Sequence, residues 1–150
     1  SMYQSISDLL AGRPDASATI KGNRLAPHLS GTVKFYKWAG GTIVKAELVN
    51  LPLKATPFGF HVHSGSTCTP SDFSNAGKHY NPTGAPHPAH AGDLPPIFSN
   101  NGYGFMVVFT DRFPPGEVIN KTVVIHMNAD DFKTQPDGGA GERIGCGVIE

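Results

Sequence analysis

The chain has 150 residues, enough for one domain with a core of its own. Only 16% of the residues are charged, and 12 Lys and Arg balance 12 Asp and Glu, so there is no basic excess of the kind that nucleic-acid and membrane-surface partners require. Eighteen glycines and 13 prolines cut the apolar residues into short runs, and no run is long enough to span a membrane. With Val, Ile and Phe still plentiful, this reads as a turn-rich all-β chain rather than a disordered one.

Residues 1–15 are expected to form a lead-in, with one domain over residues 16–150. "SISDLLAGRPDA" is a short helix or an irregular segment, with Ser7 and Asp8 as capping residues. The start lacks a basic segment followed by an apolar one, so no signal peptide is expected. Met2 reads as a native start behind a cloning remnant, Ser1. On that reading the compartment is the cytoplasm; removal of a leader would place the chain outside it.

From Ala16 the pattern alternates with period two. "SATIKG", "GTVKFYKW", "TIVKAELVNL", "FGFHVH", "YGFMVVFT", "KTVVIHM" and "RIGCGVI" are expected strands, with Gly31, Gly40-Gly41 and "NLP" as turns. Two polar segments, Ser64 to Pro96 and Asn128 to Glu142, read as long functional loops. Seven or eight strands with long connections predict a Greek-key sandwich or barrel. Cys68 and Cys146 are either two unrelated buried thiols or one disulfide closing a loop of about 80 residues.

Seven histidines then demand explanation. His28 has no assignable role and reads as a surface loop residue. His61 and His63 are two residues apart on a strand, so they share a face, as two ligands of one metal require. "HPAHAGD" places His87, His90 and Asp93 three residues apart on a proline-pinned loop, and with His79 it offers three N donors and one O donor, a set that suits tetrahedral Zn²⁺. His126 stands alone in apolar "VVIHM". Such a residue is usually a hydrogen-bonded core histidine, but beside the other five it becomes a ligand for the His61 and His63 metal. Six histidines and one aspartate are one donor short of two four-ligand sites. They fit two sites that share one imidazole, and His79 lies between the groups.

"GFHVH", "GKHYNP", "HAGDL", "VVIHMNADD" and "GERIGCGVI" resemble, in order, the signature segments of the copper/zinc superoxide dismutase family. The resemblance spans most of Phe58 to Glu150. It implies an eight-stranded Greek-key β-barrel that dismutates superoxide with a copper cycling between Cu(II) and Cu(I). It implies one copper per subunit on His61, His63, His79 and His126, and one zinc on His79, His87, His90 and Asp93. His79 would bridge the metals and pass a proton. Arg143 would attract and orient superoxide, Asp130 would link a copper histidine to a zinc histidine, and Cys68 and Cys146 would pair. A homodimer is the expectation from the C-terminal "CGVIE".

Both loops are shorter than in the animal enzymes, and "HPAHAGD" compresses the zinc ligands. Asp137 and Glu142 flank Arg143 and would oppose an anion, while Lys78 and Lys133 would compensate. An active enzyme, slower or more pH-sensitive than the best of the family, is therefore expected. The alternative is a copper-free, zinc-binding relative with a structural or copper-handling role. A dedicated copper-delivery domain would need a soft, accessible site. A cupin-like enzyme would need an acidic ligand soon after His63, where "SGSTC" offers none.

Overall fold

The computed structural model describes residues 5–150. Eight antiparallel strands follow a short helix: α1 (Ile6–Ala11), β1 (Ala16–Gly22), β2 (Ser30–Trp38), β3 (Gly41–Val49), β4 (Phe58–His63), β5 (Asp93–Ile97), β6 (Gly104–Thr110), β7 (Thr122–His126) and β8 (Arg143–Val148). Their hydrogen-bonded order is β5-β4-β7-β8-β1-β2-β3-β6. Connections from β3 to β4 and from β6 to β7 cross the sheet, which gives the Greek-key path. The sheet curls so that β5 and β6 meet across the seam of a nearly closed barrel.

The barrel follows from alternation. On β4, Phe58, Phe60 and Val62 enter the core with Val33, Phe35, Val44, Leu48, Val123 and Ile125. The other face of β4 carries Gly59, His61 and His63, yet all six residues are buried. That second burial comes from the two long loops lying over the outside of β4 and β7. The hairpin from β2 to β3 turns on Ala39 and Gly40, both at positive φ (49° and 78°). This is the backbone a two-residue hairpin needs, and glycine adopts it without strain.

Three expectations need correction. Ser64 to Pro96 is not loop throughout, because its end forms β5. "DLPPI" disguises a strand, since Pro95 and Pro96 cannot donate to a ladder. At the edge of the hydrogen-bonded order only β4 needs partners, and two prolines are tolerated. Gly31 lies inside β2 rather than in a turn, with a Cβ there meeting the Glu47 carbonyl at 2.1 Å. Helix α1 starts at Ile6 with Ser5 as its N-cap residue and no side-chain cap, so Ser7 and Asp8 fall inside its first turn. What holds the helix is packing: Leu9, with Ile6 and Leu10, covers Tyr36 and Ile43 on the outer face of β2 and β3. His28 is exposed, and its carbonyl accepts from Asn50.

Candidate metal centre

The register between β4 and β7 sets His61 against Val124 and His63 against Thr122, which leaves His126 opposite Gly59. A Cβ on Gly59 would come within 2.8 Å of Ala140 Cβ and 3.2 Å of His126 Cβ. Gly59 thus lets His126 lie against the strand that carries His61. His79 joins them because its loop pairs with β4 through a bridge between His63 and His79, continued by a 2.8 Å bond from Tyr80 N to the Val62 carbonyl.

Two four-residue groups result. His61, His63, His79 and His126 are all buried, as are His79, His87, His90 and Asp93, and within each group the ligand atoms lie within 4.8 Å of one another. His79 belongs to both. A third set, His61, His87 and Asp130, connects them.

Hydrogen bonds fix which nitrogen of each ring keeps its lone pair. His63 Nδ1–H donates to the Gly77 carbonyl at 2.8 Å, and His126 Nδ1–H to the Gly141 carbonyl at 3.3 Å. The two Nε2 atoms therefore carry lone pairs, and they face each other at 3.2 Å. Burial, then the neighbouring imidazoles, push both histidines well below their ordinary pKa, so neither ring is protonated to supply the missing hydrogen. Two lone pairs at that distance repel unless a cation sits between them.

The same logic runs through Asp130. His61 Nε2–H donates to Asp130 Oδ2 and His87 Nε2–H to Asp130 Oδ1, each at 2.8 Å. Burial raises the Asp130 carboxyl pKa, but these two hydrogen bonds outweigh it and hold the group well below the usual carboxylate range. Both rings are left with a bare Nδ1. Among the described residues, the buried side-chain polar atoms with no hydrogen-bond partner are His61 Nδ1, His87 Nδ1 and His79 Nε2. His87 Nδ1 does lie 2.9 Å from Asp93 Oδ2, but without hydrogen-bonding geometry. Orphaned buried polar atoms are costly. His61 Nδ1 and His79 Nε2 belong to one four-residue group and His87 Nδ1 to the other, so the orphaned nitrogens fit metal ions in both, and the donor sets fit copper on one side and zinc on the other.

Gly138 completes the support for Asp130. At φ 72° it occupies the left-handed region, and a Cβ there would meet Asp130 Oδ1 at 2.1 Å and His87 Nε2 at 2.6 Å. The disulfide is present: Cys68 joins Cys146 on β8. Arg143, at the start of β8, donates from Nη1 to the Phe73 carbonyl at 2.8 Å and from Nη2 to the Gly77 carbonyl at 2.7 Å. Gly77 O also receives His63 Nδ1–H, so one carbonyl orients both the arginine and an imidazole.

A cleft of about 660 Å³ opens over this centre and is lined by His63, His79, His126 and Arg143, with Lys78, Lys121 and Asp137 among the charged groups. Glu142 is not on it; it faces an adjoining depression that Arg24 and Arg143 also line. Lys133 does not line it either. Lys121, which sequence reading passed over, stands 4.9 Å above the Tyr80 ring. Its position just ahead of a strand gives no sign of a cleft role.

Residues 29–149 match the family model described as copper/zinc superoxide dismutase. The chain belongs to the copper/zinc superoxide dismutase family. It is 33% identical over 146 residues to the superoxide dismutase [Cu-Zn] of Legionella pneumophila, covering 91% of this chain and 87% of that one. The Deinococcus radiodurans superoxide dismutase [Cu-Zn] is 35% identical over 144 residues, covering 81% and 78%. Among solved structures, Cu/Zn superoxide dismutase from Brucella abortus superposes with TM-score 0.75 at 28% identity, covering 91% of this chain and all of that one. A double mutant of a SOD-like protein from Bacillus subtilis reaches TM-score 0.77 at 24% identity, a likeness of fold alone, over 88% of this chain and 95% of that one.

Proposed function

We propose that this member of the family is a superoxide dismutase with copper held by His61, His63, His79 and His126 and zinc by His79, His87, His90 and Asp93. Two superoxide anions and two protons give O₂ and H₂O₂. The observation that carries the reading is the pair of facing lone pairs on His63 and His126, beside the orphaned Nδ1 of His61 and Nε2 of His79. A domain built for zinc alone has no use for that second set, which favours the enzyme over the copper-free alternative.

When bound, copper supplies the one-electron couple of the reaction and zinc a fixed positive charge without redox chemistry. The residues do the rest. Arg143 presents a planar donor fork at the cleft, suited to a small diatomic anion. Its two backbone carbonyl acceptors hold the fork in place before substrate arrives. His79 lines the cleft, and its Nε2 is the buried nitrogen without a partner. When not engaged by the metal, that atom would take up one proton and deliver it to the reduced substrate. His79 Nδ1 and Asp93 Oδ1, 2.8 Å apart, would both be held by the zinc, which would keep the ring oriented. Asp130 holds the rings of His61 and His87 in one tautomer each.

A homodimer resting on the C-terminal segment would meet Val148 and Glu150, because Ile149 is fully buried in its own barrel and Glu150 pairs with Ser17. The test of the function compares wild type with His126→Ala for metal content and superoxide consumption. We expect copper binding to weaken at least tenfold and turnover to collapse, with zinc retained. Wild type that binds copper without turning over superoxide would end the enzyme reading.

A further inference from the structure

Asp93 opens β5, but the stretch ahead of it that supplies His87 and His90 has little regular structure to position it. Around the two histidines the main chain closes short turns, Ala89 N–H donating to Pro86 O at 2.8 Å and Asp93 N–H to His90 O at 3.0 Å, and beyond them Gly92 is tied to Tyr80 and Val62. The backbone from His87 to His90 is held in addition by side chains from two other parts of the chain. From the loop between β7 and β8, the Gln135 amide meets His87 on both sides. Its Oε1 accepts from His87 N–H at 2.9 Å, and its Nε2 donates to the His87 carbonyl at 2.8 Å. From the connection after β6, Arg112 Nη1 donates to the Pro88 carbonyl at 2.8 Å and the His90 carbonyl at 2.9 Å. Among the described residues, neither side chain belongs to a ligand group, and Arg112 takes part in no ion pair.

We infer that Gln135 and Arg112 are positioning residues for zinc, a two-sided clamp that sets the backbone of His87 and His90 before the metal binds. The inference rests on the zinc assignment made above. Only an amide side chain satisfies both His87 groups at once, because a carboxylate has no donor and a hydroxyl is too short to reach both. Arg112 bridges two carbonyls from one nitrogen, which fixes the turn between the two ligating histidines. A loop ordered in advance loses less freedom when the ion arrives, so the clamp should appear in metal affinity. The Gln135 arm also ties the two loops together, next to the bond that the same histidine's ring donates to Asp130.

The experiment measures zinc affinity by chelator competition on the full chain for wild type, Gln135→Ala, Gln135→Glu and Arg112→Ala. Copper affinity, the visible spectrum of Co²⁺ in the zinc position, and the melting temperature of the metal-free protein are followed alongside. We expect zinc affinity to fall about 10–100-fold in Gln135→Ala and Arg112→Ala. Gln135→Glu, which keeps the acceptor and loses the donor, should fall between them and wild type. The Co²⁺ bands should shift, while copper affinity and metal-free melting stay at wild-type values. Zinc affinity within twofold of wild type in both alanine variants would overturn the clamp. So would equal losses of zinc, copper and metal-free stability, which mark general loosening. A His87→Ala control that binds zinc as wild type does would instead refute the zinc assignment on which the inference stands.

Discussion

Six imidazoles buried in one small volume pose a protonation problem even without a metal. Burial first, then mutual repulsion, holds His63 and His126 neutral, and burial likewise lowers His61 against the pull of Asp130. In the unfolded chain each titrates near its ordinary value of about 6.5. Below that value the unfolded state binds more protons than the folded one, so stability falls as pH falls, and is fully present only above it. We predict that the metal-free protein loses stability between pH 7 and pH 5.5, at a slope approaching about 1.4 kcal/mol per pH unit for each depressed histidine. Urea unfolding at a series of pH values checks this. A profile flat across that window would mean that these rings are not held neutral. At this scale the sequence was informative where spacing carries geometry. His61 and His63 share a face because strands alternate, and that face was expected. The roles of Gln135, Arg112 and Gly138 were not readable, because each acts through backbone groups or empty space that only the folded loops create.

The elements show the same division. Strands with clear alternation were legible nearly to the residue, β4 as "FGFHVH" most cleanly. Strand β5 was hidden because its burial is decided by its place at the sheet edge, which local composition does not encode. The disulfide was one of two open readings from composition and only implied by resemblance; the fold places Cys68 beside β8. It also explains how Arg143 is held, since the loop pinned at Cys68 contributes the Phe73 and Gly77 carbonyls. Replacing both cysteines with serine should lower stability by roughly 4–5 kcal/mol, for a separation of 78 residues. It should also reduce turnover at matched copper content. Denaturant midpoints and superoxide assays on the same samples test both parts. Unchanged turnover per copper would mean that β8 alone positions Arg143.

For the whole molecule, a net charge of zero conceals an uneven field. The sequence set Asp137 and Glu142 against Arg143; the fold turns Glu142 away from the cleft into an adjoining depression that Arg143 also borders, and brings Lys121 to the cleft beside Lys78. Three cations face one carboxylate there, so superoxide meets an attractive mouth. The rate should therefore fall as ionic strength rises, and Lys121→Glu should lower it by up to about tenfold at low salt. A rate that climbs with salt would mean the acidic groups dominate. Net charge could not reveal this, since it depends on which loop tips converge. The central claim, that copper in this histidine cage turns over superoxide, is tested most directly by adding copper in steps to zinc-loaded protein and following superoxide decay. The account predicts a negligible rate with zinc alone and a linear rise that saturates at one copper per chain. A rate independent of copper, or copper bound at one per chain without decay, would contradict it.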